Sequence, residues 1–183
     1  MVDRGVGAGW LFRFHLGDET VSGAGVLDVR HGGGLPGRLA CAALRFPRAG
    51  TAVPVRVRVD RSSGVESWQR RIGSRSMNSR QICSDVRFLE RAGPLELRMR
   101  YVPGDASLRV VTEGAALCVG GLRIRLPGRL APRASAAAWA AAEDRAAVPP
   151  SFHIDVRIHV PLLGALLSYS GQLHEEGRRR GDG

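Results

Sequence analysis

Glu66, Trp68 and Arg70 alternate with Ser67 and Gln69 along one stretch of chain. A spacing of two puts a carboxylate, an indole and a guanidinium on one face of an extended strand. That trio has a recognisable chemistry. The guanidinium anchors a carboxylate or phosphate head, and the indole covers an apolar body. A glutamate buried without a cation has a raised pKa and suits general-acid work, so Glu66 is the catalytic candidate. Against a direct Glu66–Arg70 pair, four strand positions span roughly 13 Å, so the two meet only if Arg70 folds back over the indole. The ordinary reading is a core tryptophan whose charged neighbours are satisfied by adjacent strands. The ligand-binding candidates are Glu66, Trp68, Arg70 and, from a later strand, Tyr169.

The element that must position the trio is a β-hairpin. Val53, Val55, Val57 and Val59 alternate with Pro54, Arg56, Arg58 and Asp60, and Arg61-Ser62-Ser63-Gly64 reads as the turn. An even-numbered loop pairs Asp60 with Val65 and sets the Glu66 row on the valine face; an odd one sets it among the arginines.

Other candidates are weaker. His153, Asp155 and His159 share the polar face of one strand, but Arg157 between them repels a cation, and a solvated face is the default. No metal and no cofactor is expected. His31-Gly32-Gly33-Gly34 copies an oxyanion-hole motif, yet the chain has no Gly-x-Ser-x-Gly elbow to go with it. It reads as a connection into a helix with Pro36 in its first turn and Pro47 beyond its end. Leu35, Leu39, Ala42, Ala43 and Phe46 fall on the face expected to pack on a sheet.

All 27 basic residues are arginine, which excludes every lysine-dependent chemistry, and the net charge is +10. With 24 glycines as well, part of that charge fits a GC-rich coding bias. Arg56/Arg58, Arg98/Arg100 and Arg123/Arg125 point away from the apolar faces and predict a basic outer surface, to which Arg71, Arg109 and Arg157 add. Without aromatic interleaving or a known motif, nucleic acid is not the expected partner. No apolar run is long enough to span a bilayer and no signal-peptide pattern is present, so a cytoplasmic protein is expected. Cys41, Cys83 and Cys118 are odd in number and far apart, which reads as buried reduced thiols.

Along the chain, a lead over 1–19 is expected to fray to Gly9 and then form a strand in which Trp10, Phe12, Phe14 and Leu16 share a face, turning at Gly17-Asp18-Glu19. One domain over 20–173 follows, beginning with a strand from about Thr20 to Arg30. Ser74 to Arg80 reads as a polar crossing. Further strands pair Glu90 with Leu95, Phe88 with Leu97 and Val86 with Met99, and then Leu108 with Tyr101 after a turn at Pro103-Gly104-Asp105-Ala106. Leu122, Ile124 and Leu126 make one more. Alanine-rich Arg133 to Arg145 is read as a strand. In the last hairpin, Val160 opposite Ala165 sets Ile158 on Leu167, Val156 on Tyr169 and Phe152 on Leu173. The tail 174–183 is polar and expected to be disordered. The expected fold is α+β, mainly β: an antiparallel meander of about ten strands in a curved sheet or barrel with one packed helix.

Glu66-x-Trp68-x-Arg70, Glu90-x-x-Gly93-Pro94, Gly121-x-x-x-x-Leu126-Pro127 with Leu130-x-Pro132, Phe152-x-x-Asp155-Val156 with Pro161-x-x-Gly164, and Tyr169-x-Gly171-x-Leu173 occur in that order. Together they resemble the bacterial domain of unknown function 4166 from roughly Val21 to Leu173. Gln172 departs from a tryptophan usual in that last motif. The resemblance implies no activity, but relatives occur fused C-terminal to saccharopine-dehydrogenase-like or epimerase-like domains, which implies an oxidoreductase as partner. The preferred reading is a non-enzymatic binding module that takes a small apolar or amphipathic acid inside a curved sheet. The alternatives are an enzyme using Glu66 and Arg70 in that pocket, and an accessory domain that docks on an oxidoreductase.

Overall fold

The computed structural model describes residues 6–17, 19–32, 34–84, 86–104, 107–140 and 150–176. The first part of the lead expected to fray, the centres of the Gly17–Glu19 and Gly32–Gly34 stretches, the end of the Pro103–Ala106 turn, the second half of the 133–145 segment and the tail from 177 lie outside the described residues. The chain folds as α1 (Val6–Leu16), β1 (Val21–His31), α2 (Leu35–Ala43), β2 (Gly50–Ser62), β3 (Val65–Ile72), β4 (Arg75–Ser84), β5 (Arg87–Ala92), β6 (Leu95–Pro103), β7 (Ser107–Val119), β8 (Leu122–Arg125), β9 (Arg133–Trp139), β10 (Ser151–Val160) and β11 (Gly164–Glu175).

Ten strands close into an antiparallel barrel: β1 pairs with β2 and β11, and β6 pairs with β7, which joins the two ends of the meander. The eleventh strand, β8, pairs with β7 alone among the described strands and lies outside the ring. The expectation of a mainly β barrel is met, with a second helix where one was expected. Val55, Val57, Val59, Leu27, Val29, Phe152, Leu167 and Leu173 form the inner wall at one side, and Phe88, Met99, Tyr101, Leu108 and Val110 at the other.

The residues expected as a first strand form α1 instead. WLFRFHL carries both periods, and the helical one wins: Trp10, Leu11 and Phe14 are fully buried while Phe12 is only partly so. Their burial lies at the barrel end where β1 begins. Trp10 packs on Phe152 at 4.7 Å between ring centroids, and Phe14 meets Trp68 edge-on at 5.7 Å. At the opposite end α2 forms as expected, but on another face. Leu35, Leu39 and Leu44 are exposed, and Gly37 and Cys41 are buried, with the Cys41 thiol donating to Leu166 O at 3.2 Å. The helix meets β11 through its Gly37–Cys41 side, and the leucines are left outside.

Ser74 to Arg80 is not a crossing. Ser74 ends a two-residue turn and Arg75 to Arg80 belong to β4, whose inward row, Met77, Ser79 and Gln81, is mostly polar and so lacks the apolar alternation of a strand. Val86 stands just before β5 and is exposed. His174 and Glu175, expected in a disordered tail, continue β11, and Glu176 N donates to Ser22 O at 3.0 Å. β9 confirms a strand over Arg133–Trp139. The last hairpin pairs Ile158 with Leu167, Val156 with Tyr169 and Phe152 with Leu173, as period two predicts; a bulge at the turn sets Val160 opposite Gly164. Elsewhere the register moves by two: Val59 faces Trp68, Glu90 faces Leu97, and Tyr101 faces Val110. Two-residue turns at Ser63-Gly64 and Gly93-Pro94 cause the first two shifts. Ser63 and Gly64 have φ of 50° and 78°, the left-handed pair of a tight hairpin. A shift of two preserves the faces.

Candidate functional site

The β2–β3 hairpin turns Glu66, Trp68 and Arg70 to the valine side, into the barrel. The shorter turn places Arg61, read as a loop residue, directly opposite Glu66. Continuing across β4 and β5, Gln81 faces Glu66 and Glu90 faces Gln81. Arg61, Glu66, Gln81 and Glu90 thus form one inward polar row on four adjacent strands.

The row closes on itself. Arg61 Nε donates to Glu66 Oε1 at 2.8 Å, and Trp68 Nε1 donates to Glu66 Oε2 at 2.8 Å. Arg70 folds back as its distance from Glu66 requires, but to a different end: its guanidinium lies 4.7 Å from the Trp68 ring centroid and reaches Glu90 Oε1 at 3.3 Å. Ser79 Oγ accepts from Arg70 at 2.8 Å and donates to the same Glu90 oxygen at 2.6 Å. Two buried guanidiniums are matched by two carboxylates, which is the condition for holding charge in such a wall. Both Glu66 oxygens already accept a hydrogen bond. Tyr169 is buried on β11, and burial pushes its phenol up.

Above the row, the His15 ring sits 5.6 Å from Trp68 and 5.8 Å from Phe152. Burial, reinforced by the charges of Arg61 and Arg70, lowers its pKa to about 3, so it is neutral at pH 7. Its Nε2, Trp10 Nε1 and Gln81 Oε1 are buried without a hydrogen-bond partner among the described residues. Arg70 lines a cavity of about 380 Å³ with Gln69 and Arg71, and Tyr169 one of about 720 Å³ with Arg133 and Asp155; neither takes in Glu66 or Trp68.

The six arginines of the basic surface are all exposed, as their spacing predicts. They do not make one face, because β3, β4 and β5 separate Arg56/Arg58 from Arg98/Arg100. Most are also neutralised: Arg56 by Glu176, Arg58 by Asp60, Arg100 by Glu113 and Arg123 by Glu96. Glu96 is buried beneath Arg91 and Arg123, whose hydrogen bonds hold its carboxyl below the usual range. Arg98 and Arg125 have no ion pair among the described residues. Both line a cleft of about 410 Å³ between β6, β7, β8 and the chain entering β9, together with Arg133. Ala115, Ala116, Leu126, Ala131 and Pro132 supply its apolar lining.

A bulge shapes this cleft. Arg98 faces Gly114 and Met99 faces Thr112, so Glu113 is the extra residue of β7. Turned outward, Glu113 takes Arg87 at 3.3 Å and Arg100 at 3.1 Å. Arg133 and Glu113 were not singled out in the sequence; a bulge leaves no mark in period-two alternation, and Arg133 stands at the head of an alanine segment. On β10, Asp155 pairs with Arg157 at 3.0 Å and His153 stacks on Trp139. No cluster of three potential metal ligands occurs among the described residues, and no helix is long and apolar enough to cross a membrane.

The family described as Domain of unknown function (DUF4166) matches residues 9–173, which takes in the buried face of α1 as well as the barrel. No curated protein and no solved structure matches the chain.

Proposed function

We propose that this chain, which belongs to the Domain of unknown function (DUF4166) family, is a non-enzymatic binding module for a small amphipathic acid, and that the acid sits in the arginine cleft. One observation carries this reading: Arg98, Arg125 and Arg133 line one cleft of about 410 Å³ and have no carboxylate partner among the described residues. Unpaired guanidiniums beside small apolar side chains match a carboxylate head with a short hydrocarbon body. The volume lies in the range of small-ligand sites. The Glu66 row supplies the opposite case, with each charge already matched within the wall.

Isothermal titration with octanoate and with octanol tests it. Octanoate binds, octanol does not, and Arg98→Gln or Arg133→Gln weakens octanoate about tenfold, the scale of one charged hydrogen bond. Equal affinity for both compounds, or no loss in either variant, overturns it. Native mass spectrometry of protein purified from a bacterial host, before and after organic extraction, shows whether an acid co-purifies.

A further inference from the structure

We propose that β8 is an acceptor edge for an extended segment of a partner protein, one whose residues alternate between acidic and aliphatic. The inference shares Arg125 with the acid cleft but rests on the backbone edge of β8 and its aliphatic face, not on acid binding.

β8 lies outside the ring and is hydrogen-bonded to β7 alone among the described strands. Its partners are Val119 for Leu122, Cys118 for Arg123, Leu117 for Ile124 and Ala116 for Arg125, closed by a Gly120-Gly121 turn with φ of 56° and 83°. In a two-residue hairpin the residues flanking the turn exchange both backbone bonds and every second pair repeats this. Leu126 N donating to Ala115 O at 2.9 Å fixes the same phase. Leu122 and Ile124 therefore face β7, and the N–H and C=O groups of Arg123 and Arg125 point outward along the free edge.

The side chains specify what pairs there. Leu122 at 63 % exposure and Ile124 at 50 % lie beside Val119 at 63 % and Leu117 at 36 % on one sheet face. Four neighbouring aliphatic side chains left in water on one face of the β7–β8 hairpin mark a contact surface. Arg123 and Arg125 occupy the other face. An added antiparallel strand sets its residues directly opposite both arginines; Arg123 already holds Glu96 at 2.7 Å, whereas Arg125 has no ion pair among the described residues, so a carboxylate is favoured there and a cation is not. A second copy of β8 fits poorly, because two-fold pairing gathers the Arg123 and Arg125 guanidiniums of both copies on one face. Charge thus selects an acidic strand, and the aliphatic face selects alternation. The backbone bonds supply affinity without sequence demand, as in other strand-addition complexes.

Fluorescence anisotropy of two labelled peptides, Thr-Glu-Val-Glu-Ile-Glu-Thr and Thr-Lys-Val-Lys-Ile-Lys-Thr, tests the proposal against the full chain. The acidic peptide is expected to bind, more weakly at higher salt, and the basic one not. Arg125→Pro removes one outward N–H and the Arg125 guanidinium without touching the β7 ladder and is expected to weaken the acidic peptide at least about tenfold, whereas Arg125→Gln, which keeps the N–H, is expected to weaken it less. Ile124→Lys is expected to do the same while leaving octanoate titration unchanged, which separates this site from the cleft. Equal binding of both peptides, no binding of either, or full affinity in Arg125→Pro and Ile124→Lys variants of native circular dichroism overturns it. So does sedimentation showing a dimer that Arg125→Pro dissociates, because the edge then belongs to a second copy.

Discussion

Arg61 and Glu66, directly opposite each other on β2 and β3, form a 2.8 Å ion pair whose side chains are 7 % and 11 % exposed. The second Glu66 oxygen is taken by the Trp68 indole. Removing one partner leaves the other charge buried, which costs about 3–5 kcal/mol. Glu66→Ala and Arg61→Ala should each destabilise by that order in urea unfolding. The double variant Arg61→Met, Glu66→Leu should lose much less than the sum. If the single variants unfold like the wild type, the pair is not buried as described.

His15 makes stability depend on pH. Its ring is packed against Phe14, Trp68 and Phe152, and burial with Arg61 and Arg70 nearby lowers its pKa to about 3. In the unfolded chain a histidine titrates near 6.5, so below that pH the unfolded state binds a proton that the folded state refuses. Stability from this group is fully present above about pH 6.5 and falls as pH drops towards 3. Urea midpoints at pH 7 and pH 4.5 should differ for the wild type, and His15→Phe should shrink the difference. An unchanged difference in that variant assigns the pH dependence elsewhere.

Where alternation is strong and the wall apolar, the sequence reveals the pairing, as from Phe152 to Ile158 of β10 against β11, though not the bulge that sets Val160 opposite Gly164. In β2–β3 and β5–β6 the face is legible but the register is not, because four-residue and two-residue turns look alike in Arg61-Ser62-Ser63-Gly64 and keep the same parity. That ambiguity hid Arg61 as the partner of Glu66. β4 was hidden by its chemistry, since the inward Ser79 and Gln81 serve a polar interior that no period of hydrophobicity records. α1 was decided by packing: Trp10, Leu11 and Phe14 fill a barrel end, which no local propensity encodes. The unpaired arginines of the cleft depend on which glutamates the fold brings to the others.

Gly25, Gly32 and Gly171 are required by close approach between strands. At Gly32 a Cβ would overlap the carbonyl of Ala165, while its own N–H donates to Leu166 O at 2.8 Å. At Gly171 it would overlap Val26 O, and at Gly25 the carbonyl of Gln172. With His31 Nε2 lying 2.6 Å from Pro47 O, His31 and Gly32 stitch β1 to its neighbours, a structural role for the start of the His31–Gly34 motif. Gly32→Ala and Gly171→Ala should each cost more than about 2 kcal/mol by pushing β1 and β11 apart. Gly64→Ala meets no atom within 4 Å and loses only the freedom of its positive φ, so it should cost about 1 kcal/mol. Equal thermal midpoints for Gly32→Ala and Gly64→Ala would contradict the close approach.

The bulge at Glu113 sets how much positive charge the cleft keeps. Arg87 and Arg100 are cross-strand neighbours of like charge, and Glu113 bridges them. Without that carboxylate Arg100 loses its partner, and one negative charge leaves the cleft lining. Glu113→Gln keeps the side-chain size and the bulge while removing the charge. Octanoate affinity should therefore rise several-fold, by about 1 kcal/mol for a partly exposed charge at this range, and its salt dependence should steepen. Arg100→Gln, which takes away the cation that Glu113 already neutralises, should change affinity much less than Arg98→Gln. If Glu113→Gln weakens octanoate instead, the carboxylate is part of the recognition and the acid binds elsewhere.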